Sequence, residues 1–128
     1  MTDERALVLV AHGSPDPDWR RPLEQLHAQL AAQLGDRVAL AYLAHPPGIP
    51  EVVAELAAIG HTEILVVAAL LSPGGRHVKQ DIPAAVAEAR SRSPELRIEL
   101  SPGALGDDPR VIDALAAATL SRLDPATR

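Results

Sequence analysis

The chain alternates between short apolar runs and stretches with helical spacing. Ala6 to Ala11 is continuous and rich in β-branched residues, as a strand buried on both faces of a parallel sheet would be. It ends at His12-Gly-Ser-Pro-Asp-Pro-Asp18, a cluster of turn formers. Asp18 is expected to cap a helix beginning at Trp19, with Pro22 tolerated in its first turn. Leu23, Leu26, Leu30 and Leu34 follow at helical spacing, and Gly35 stops the run. Val38 to Leu43 reads as a second strand, followed by the Pro-rich connection His45 to Pro50. Val52, Leu56 and Ile59 mark one face of a helix over Glu51 to Ile59, closed by Gly60.

Glu63 to Leu70 is the third strand and the most apolar segment. An extended polar loop, Ser72 to Lys79, follows it. Asp81 is expected to cap a helix that carries Pro83 and runs to about Arg92. Leu96 to Leu100 alternates as an edge strand, and a loop from Gly103 leads into a last helix, Pro109 to about Leu123. The final five residues are expected to fray. The order βαβαβαβα, without internal repeat, predicts an α/β fold: one domain over residues 1–128 with a doubly wound, four-stranded parallel sheet. Right-handed crossovers then gather the C-terminal ends of all strands at one edge.

Composition narrows the picture. The 128 residues include one Trp, one Tyr and no Phe, so the core must be aliphatic. A net charge of −5 supplies no bulk field for nucleic acid. Lys79 is the only lysine, so any anion site must be local and mostly arginine-built. The absence of cysteine excludes disulfides, iron–sulfur clusters and thiolate metal sites, and fits a cytoplasmic location. The longest apolar run, Ile64 to Leu71, is far shorter than the roughly 20 residues of a membrane span. The charged start, Met1 to Arg5, lacks the shape of a signal peptide.

Ligands of open α/β sheets bind beyond the carboxyl ends of the strands. His12 directly follows the first strand and His77 lies in the loop after the third. In a flavodoxin-like strand order those strands are neighbours, and the two imidazoles face one crevice. Imidazole suits Co2+, Ni2+, Fe2+ and Zn2+, and can accept a proton near neutral pH. The loop after the third strand adds Gly74, Gly75, Arg76 and Lys79. Its glycines admit backbone N–H groups to an anion, and its cations pair with carboxylates. Arg20 and Arg21 stand at the same edge. The other histidines read as structural: His27 on a partly solvated helix face, His45 exposed in its connection, His61 at a helix end in a capping role. No GxGxxG, Walker loop or GxSxG elbow occurs, which leaves a small hydrolase using His12 as a minor reading.

Val8-Leu-Val-Ala-His12-Gly-Ser14 resembles the opening motif of the class II tetrapyrrole chelatases. Leu70-Leu-Ser-Pro-Gly-Gly-Arg-His77-Val-Lys-Gln-Asp81-Ile-Pro83 is similar to their second motif, and Gly103-Ala-Leu-Gly106-Asp-Asp-Pro109 to their late Leu-Gly loop. The resemblance is to sirohydrochlorin cobaltochelatases of the CbiX type, in their short form, over about residues 6–120. It implies a chelatase-like αβα sandwich and a homodimer. It implies insertion of a divalent metal, with Co2+ foremost and Ni2+ or Fe2+ as variants, into sirohydrochlorin. Neither ATP nor another cofactor is implied. His12 and His77 carry over as metal ligands and catalytic residues. Ser14, Gly74, Gly75, Arg76 and Lys79 are the expected tetrapyrrole-binding positions. One departure stands out: where family members often carry Glu after the second strand, this chain reads Tyr42-Leu-Ala-His45. Either the carboxylate's role is absent or His45 fills it. With that role absent, a non-catalytic tetrapyrrole or metal carrier becomes the alternative.

Overall fold

The computed structural model describes residues 4–72 and 74–123. Four strands alternate with four helices: β1 (Ala6–Ala11), α1 (Pro17–Leu34), β2 (Val38–Tyr42), α2 (Ile49–Ala58), β3 (Glu63–Ala68), α3 (Ile82–Arg92), β4 (Arg97–Leu100) and α4 (Pro109–Ser121). The strands form one parallel sheet in the order β2-β1-β3-β4. Leu7 pairs with Val38 on one side and Leu65 on the other. The expected α/β architecture and the neighbouring placement of β1 and β3 are therefore observed. The chain reverses direction across the sheet between these two strands, which is where such folds open a crevice.

The two faces of the sheet are covered unequally. On one face Val8, Val10, Ile64 and Val66 pack with Ile49, Val52 and Val53 of α2 and Ile82 and Val86 of α3, all at most 1% exposed. Each such side chain contributes roughly 1.5–3 kcal/mol by leaving water. The core is wholly aliphatic, as the composition required. On the other face lie α1 and α4, neither of which has a buried residue. Burial along β3 alternates: Ile64, Val66 and Ala68 are buried, whereas Leu65 and Val67 are half-buried. The expectation that β1 is buried on both faces holds, with Leu7 half-buried. Ile112, Leu115 and Leu120 of α4 are 50%, 45% and 66% exposed.

Helix ends follow local chemistry, with corrections to the expected caps. Asp16, not Asp18, caps α1, its carboxylate accepting the Asp18 N–H at 2.9 Å. The helix therefore starts at Pro17, two residues early. α2 likewise begins at Ile49 rather than Glu51, and the Glu51 side chain reaches back to the Gly48 N–H (3.1 Å). It ends in a Schellman turn. Gly60 sits at φ +103°, its N–H bonds Ala57 O (3.0 Å), and the His61 N–H bonds Leu56 O (3.1 Å). His61 thus caps through its backbone, and its ring turns to Asp36 (3.5 Å). His27 is partly solvated as expected, and its Nε2–H also donates to Val38 O (3.1 Å), which ties α1 to β2.

Asp108 caps α4, accepting from the Arg110 N–H (2.9 Å), and hydrogen bonds from Arg110 hold its carboxyl at about 2. A depressed carboxylate stabilises above its ordinary pKa of 3.8 and loses that contribution as pH falls through about 2. The fraying expected of the last five residues falls outside the described residues. Among those described, no helix is long and apolar enough to cross a membrane.

Candidate metal centre

The sheet brings the two motif histidines together. His12 leaves the end of β1, and His77 opens the turn into α3 after β3. Their ring centroids are 4.6 Å apart, with the planes tilted by 53°. Both rings are solvent-accessible, His77 with 46% of its side chain exposed. Two recesses meet at His12. One, about 410 Å³, runs between His77, Asp81, Tyr42 and Pro50. The other, about 700 Å³, runs between Ser14, Trp19, Arg20 and His45. Ala44 lies at the junction of the two, its N–H on His12 O at 2.8 Å. A methyl group therefore stands where the resemblance expected a carboxylate.

His77 is oriented by a residue that the sequence reading assigned elsewhere. Asp81 makes no side-chain cap on α3. The backbone instead makes a wide π turn, His77–Asp81, closed by the Ile82 N–H on His77 O. Such turns recur at functional sites. Asp81 already has helical backbone angles (φ −68°, ψ −45°), unlike the extended residue that a side-chain cap requires. Its carboxylate accepts the His77 Nδ1–H at 2.9 Å. That bond fixes the tautomer and leaves the Nε2 lone pair for a metal. The (i, i+4) spacing of His77 and Asp81 is the signal that would have disclosed the pair.

The proposed tetrapyrrole-binding positions are spread more widely. Ser14 lines the larger recess, its Oγ accepting the Asp16 N–H at 3.1 Å. Gly74, Gly75 and Arg76 lie exposed on the approach to the π turn and Lys79 exposed within it, outside the walls of both recesses. The Gly74 N–H is engaged by Ser72 Oγ (3.2 Å), and Arg76 pairs with Asp81 at 3.7 Å. Arg20 comes closer to His12, on the wall of the larger recess. Tyr42, beside it, has its hydroxyl pKa raised by burial and by Glu24, partly offset by Arg20.

His12, His77 and Asp81 amount to two imidazoles with one carboxylate behind them. Among the described residues, no group of three or more His, Cys, Asp or Glu side chains could together hold a metal ion. Two neutral nitrogen ligands bind a divalent ion and leave its other positions open. That is the donor set for passing an ion on, whereas closed four-ligand sites retain theirs.

None of the curated proteins compared with the chain matches it. Among solved structures, a CbiX protein from Marinobacter aquaeolei VT8 superposes with a TM-score of 0.82 at 24% identity, over 97% of this chain and 98% of that one. The sirohydrochlorin chelatase SirB from Bacillus subtilis subspecies spizizenii, in complex with cobalt, superposes with a TM-score of 0.78 at 28% identity. It is matched over 91% of this chain and 50% of its own. SirB from Bacillus subtilis with Fe3+ gives 0.74 at 27%, over 88% and 45%. The chain thus spans about half the length of the SirB chains. The CbiX family pattern matches residues 6–121, nearly the whole sequence, and with both motif histidines meeting in one crevice the chain belongs to the CbiX family.

Proposed function

We propose that this protein inserts a divalent metal ion, Co2+ foremost, into sirohydrochlorin without ATP or another cofactor. The observation that carries the reading is the His12–His77 pair, 4.6 Å between ring centroids, at the mouth of two joined recesses. Insertion needs an ion held at the face of the macrocycle and the loss of two pyrrole protons. His77 Nε2, the acceptor nitrogen of the tautomer that the Nδ1–H bond to Asp81 selects, presents a lone pair to the ion. His12 supplies the second. As the ion moves to the ring, the two released imidazoles accept the two pyrrole protons, one each. Arg20 on the recess wall, and Arg76 and Lys79 at the rim, offer positive charge to the carboxylates of the substrate. SirB structures with cobalt and with Fe3+ support a metal-ion substrate for this class of protein.

The test is anaerobic absorbance with sirohydrochlorin and excess Co2+, Ni2+ or Fe2+ against an enzyme-free control. Many turnovers per subunit above background establish the chelatase. Ala44 at the ligand junction favours one other reading, a carrier that binds the pigment without metal insertion. A spectral shift that stops at one equivalent would select it.

We further take the working form to be a homodimer joined through α1 and α4. A groove between these helices is lined by Leu26, Leu30, Val111, Leu115 and Ala118. Ile112 and Leu120 stand exposed on the same helix α4. The SirB chains, twice as long, supply more chain than this one has to enclose a macrocycle; a second copy supplies the equivalent. Light scattering of the wild type at micromolar concentration should give twice the chain mass. The double variant Leu115→Glu, Leu120→Glu should give the monomer mass with the fold retained, since both positions are exposed.

A further inference from the structure

His45 uses both ring nitrogens inside the protein. Its Nδ1–H donates to Pro46 O at 2.8 Å, which makes Nε2 an acceptor, and Nε2 receives the Ser14 N–H at 3.1 Å. The Tyr42 ring packs against the imidazole at 4.5 Å between centroids. The position of this bond is informative. β1 and β2 are paired as far as Ala11 and Tyr42. Beyond them the Leu43 N–H reaches Ala11 O (3.0 Å) and the Ala44 N–H reaches His12 O (2.8 Å). The next rung, from the Ser14 N–H, goes to the imidazole of His45 in place of a carbonyl. Gly13, between the two rungs, sits at φ +100°, and a Cβ there would lie 2.7 Å from His45 Nε2. The His12-Gly-Ser14 turn is therefore shaped against this ring.

We infer that His45 is a positioning residue: its imidazole completes the β1–β2 ladder past the strand ends and thereby fixes the direction in which His12 meets His77. This rests on the reading of His12 and His77 as the metal pair. It also answers the choice left open by the missing glutamate. A ring with both nitrogens engaged is neither a third ligand nor a free base, so His45 does not take over a carboxylate's part.

The experiment titrates Co2+ alone into the full chain, read by its visible ligand-field bands, with thermal melting in parallel. His45→Ala should lower Co2+ affinity tenfold or more, the range seen when groups orienting a ligand are lost. His45→Gln, whose Oε1 can accept the Ser14 N–H, should recover to within about threefold of wild type. A His45→Ala protein that binds Co2+ like wild type overturns the inference. So does a His45→Gln protein as weak as His45→Ala, since glutamine cannot replace an imidazole ligand. Should His45→Ala fail to fold, the ring 15N signals of the wild type decide. Added Zn2+ should move those of His12 and His77 and leave His45 Nε2 in place, and a ligand-sized shift at His45 Nε2 overturns the proposal. If His12→Ala binds Co2+ as well as wild type, the metal-pair reading itself falls, whatever His45 does.

Discussion

Removing either imidazole of the pair should all but abolish metal insertion. With one ring left, the ion has a single protein ligand and no defined place beside the macrocycle, and one proton acceptor is lost. His12→Ala and His77→Ala should each lower the turnover rate by about 10²–10⁴-fold, the usual contribution of a positioned acid–base group. Both positions are exposed, so the fold should survive. Asp81→Asn separates orientation from ligation. It keeps the shape but weakens the His77 Nδ1–H bond and the bias toward one tautomer. The expected loss is smaller, about 10–100-fold in metal affinity. Steady-state rates with sirohydrochlorin, beside Co2+ titrations of the same proteins, check this order. Equal losses in all three would mean that Asp81 touches the reacting groups itself. Wild-type rates in either alanine variant would remove the pair from the mechanism.

Gly106→Ala should be the most damaging small substitution in the chain. The 3₁₀ turn Leu105–Asp107 presses so closely on the end of β3 that a Cβ at Gly106 would sit 1.4 Å from Leu71 O and 2.3 Å from its carbonyl carbon. The Gly106 N–H bonds Leu70 O at 3.0 Å, which holds the two backbones at that distance. No side-chain rotation relieves such an overlap, so a backbone must move. The expected cost is about 3 kcal/mol or more, at or beyond the upper end of ordinary overpacking. For a domain of this size it should lower Tm by roughly 10 °C or more. Leu71 begins the segment that leads to His77, so Co2+ affinity should fall as well. Thermal melting and metal titration of the variant test both halves. A Tm within about 2 °C of wild type would mean that the contact is not maintained in solution.

Much of this arrangement was legible from residue pattern. Four apolar runs and all four helices lie within about two residues of their expected bounds. The parallel order β2-β1-β3-β4 made neighbours of the strands preceding His12 and His77. What escaped depends on partners remote in sequence or on backbone details that carry no composition signal. Asp81 before an apolar helix reads as a cap, and only the π turn shows why its carboxylate serves His77 instead. His27 finds the Val38 carbonyl eleven residues away, a contact set by how α1 lies on the sheet. His45 meets Ser14 across 31 positions. Gly106 lies in the Leu-Gly loop that the resemblance marked, but the reason for a glycine there comes from a backbone 35 residues earlier. On β3 an unbroken apolar run concealed the unequal covering of the two faces, because Leu65 and Val67 are as hydrophobic as their buried neighbours.

That unequal covering divides the backbone into two exchange classes. Amides of β1, β3, α2 and α3, closed over a continuous aliphatic core, should exchange with deuterium only through opening of the whole domain. Amides of α4, with no side chain buried, should exchange through cheap local opening while that helix is uncovered. The solvent-facing helix thus becomes a reporter. Its deuterium uptake should slow as protein concentration rises if a second copy seats on it, while the α2–α3 side stays indifferent to dilution.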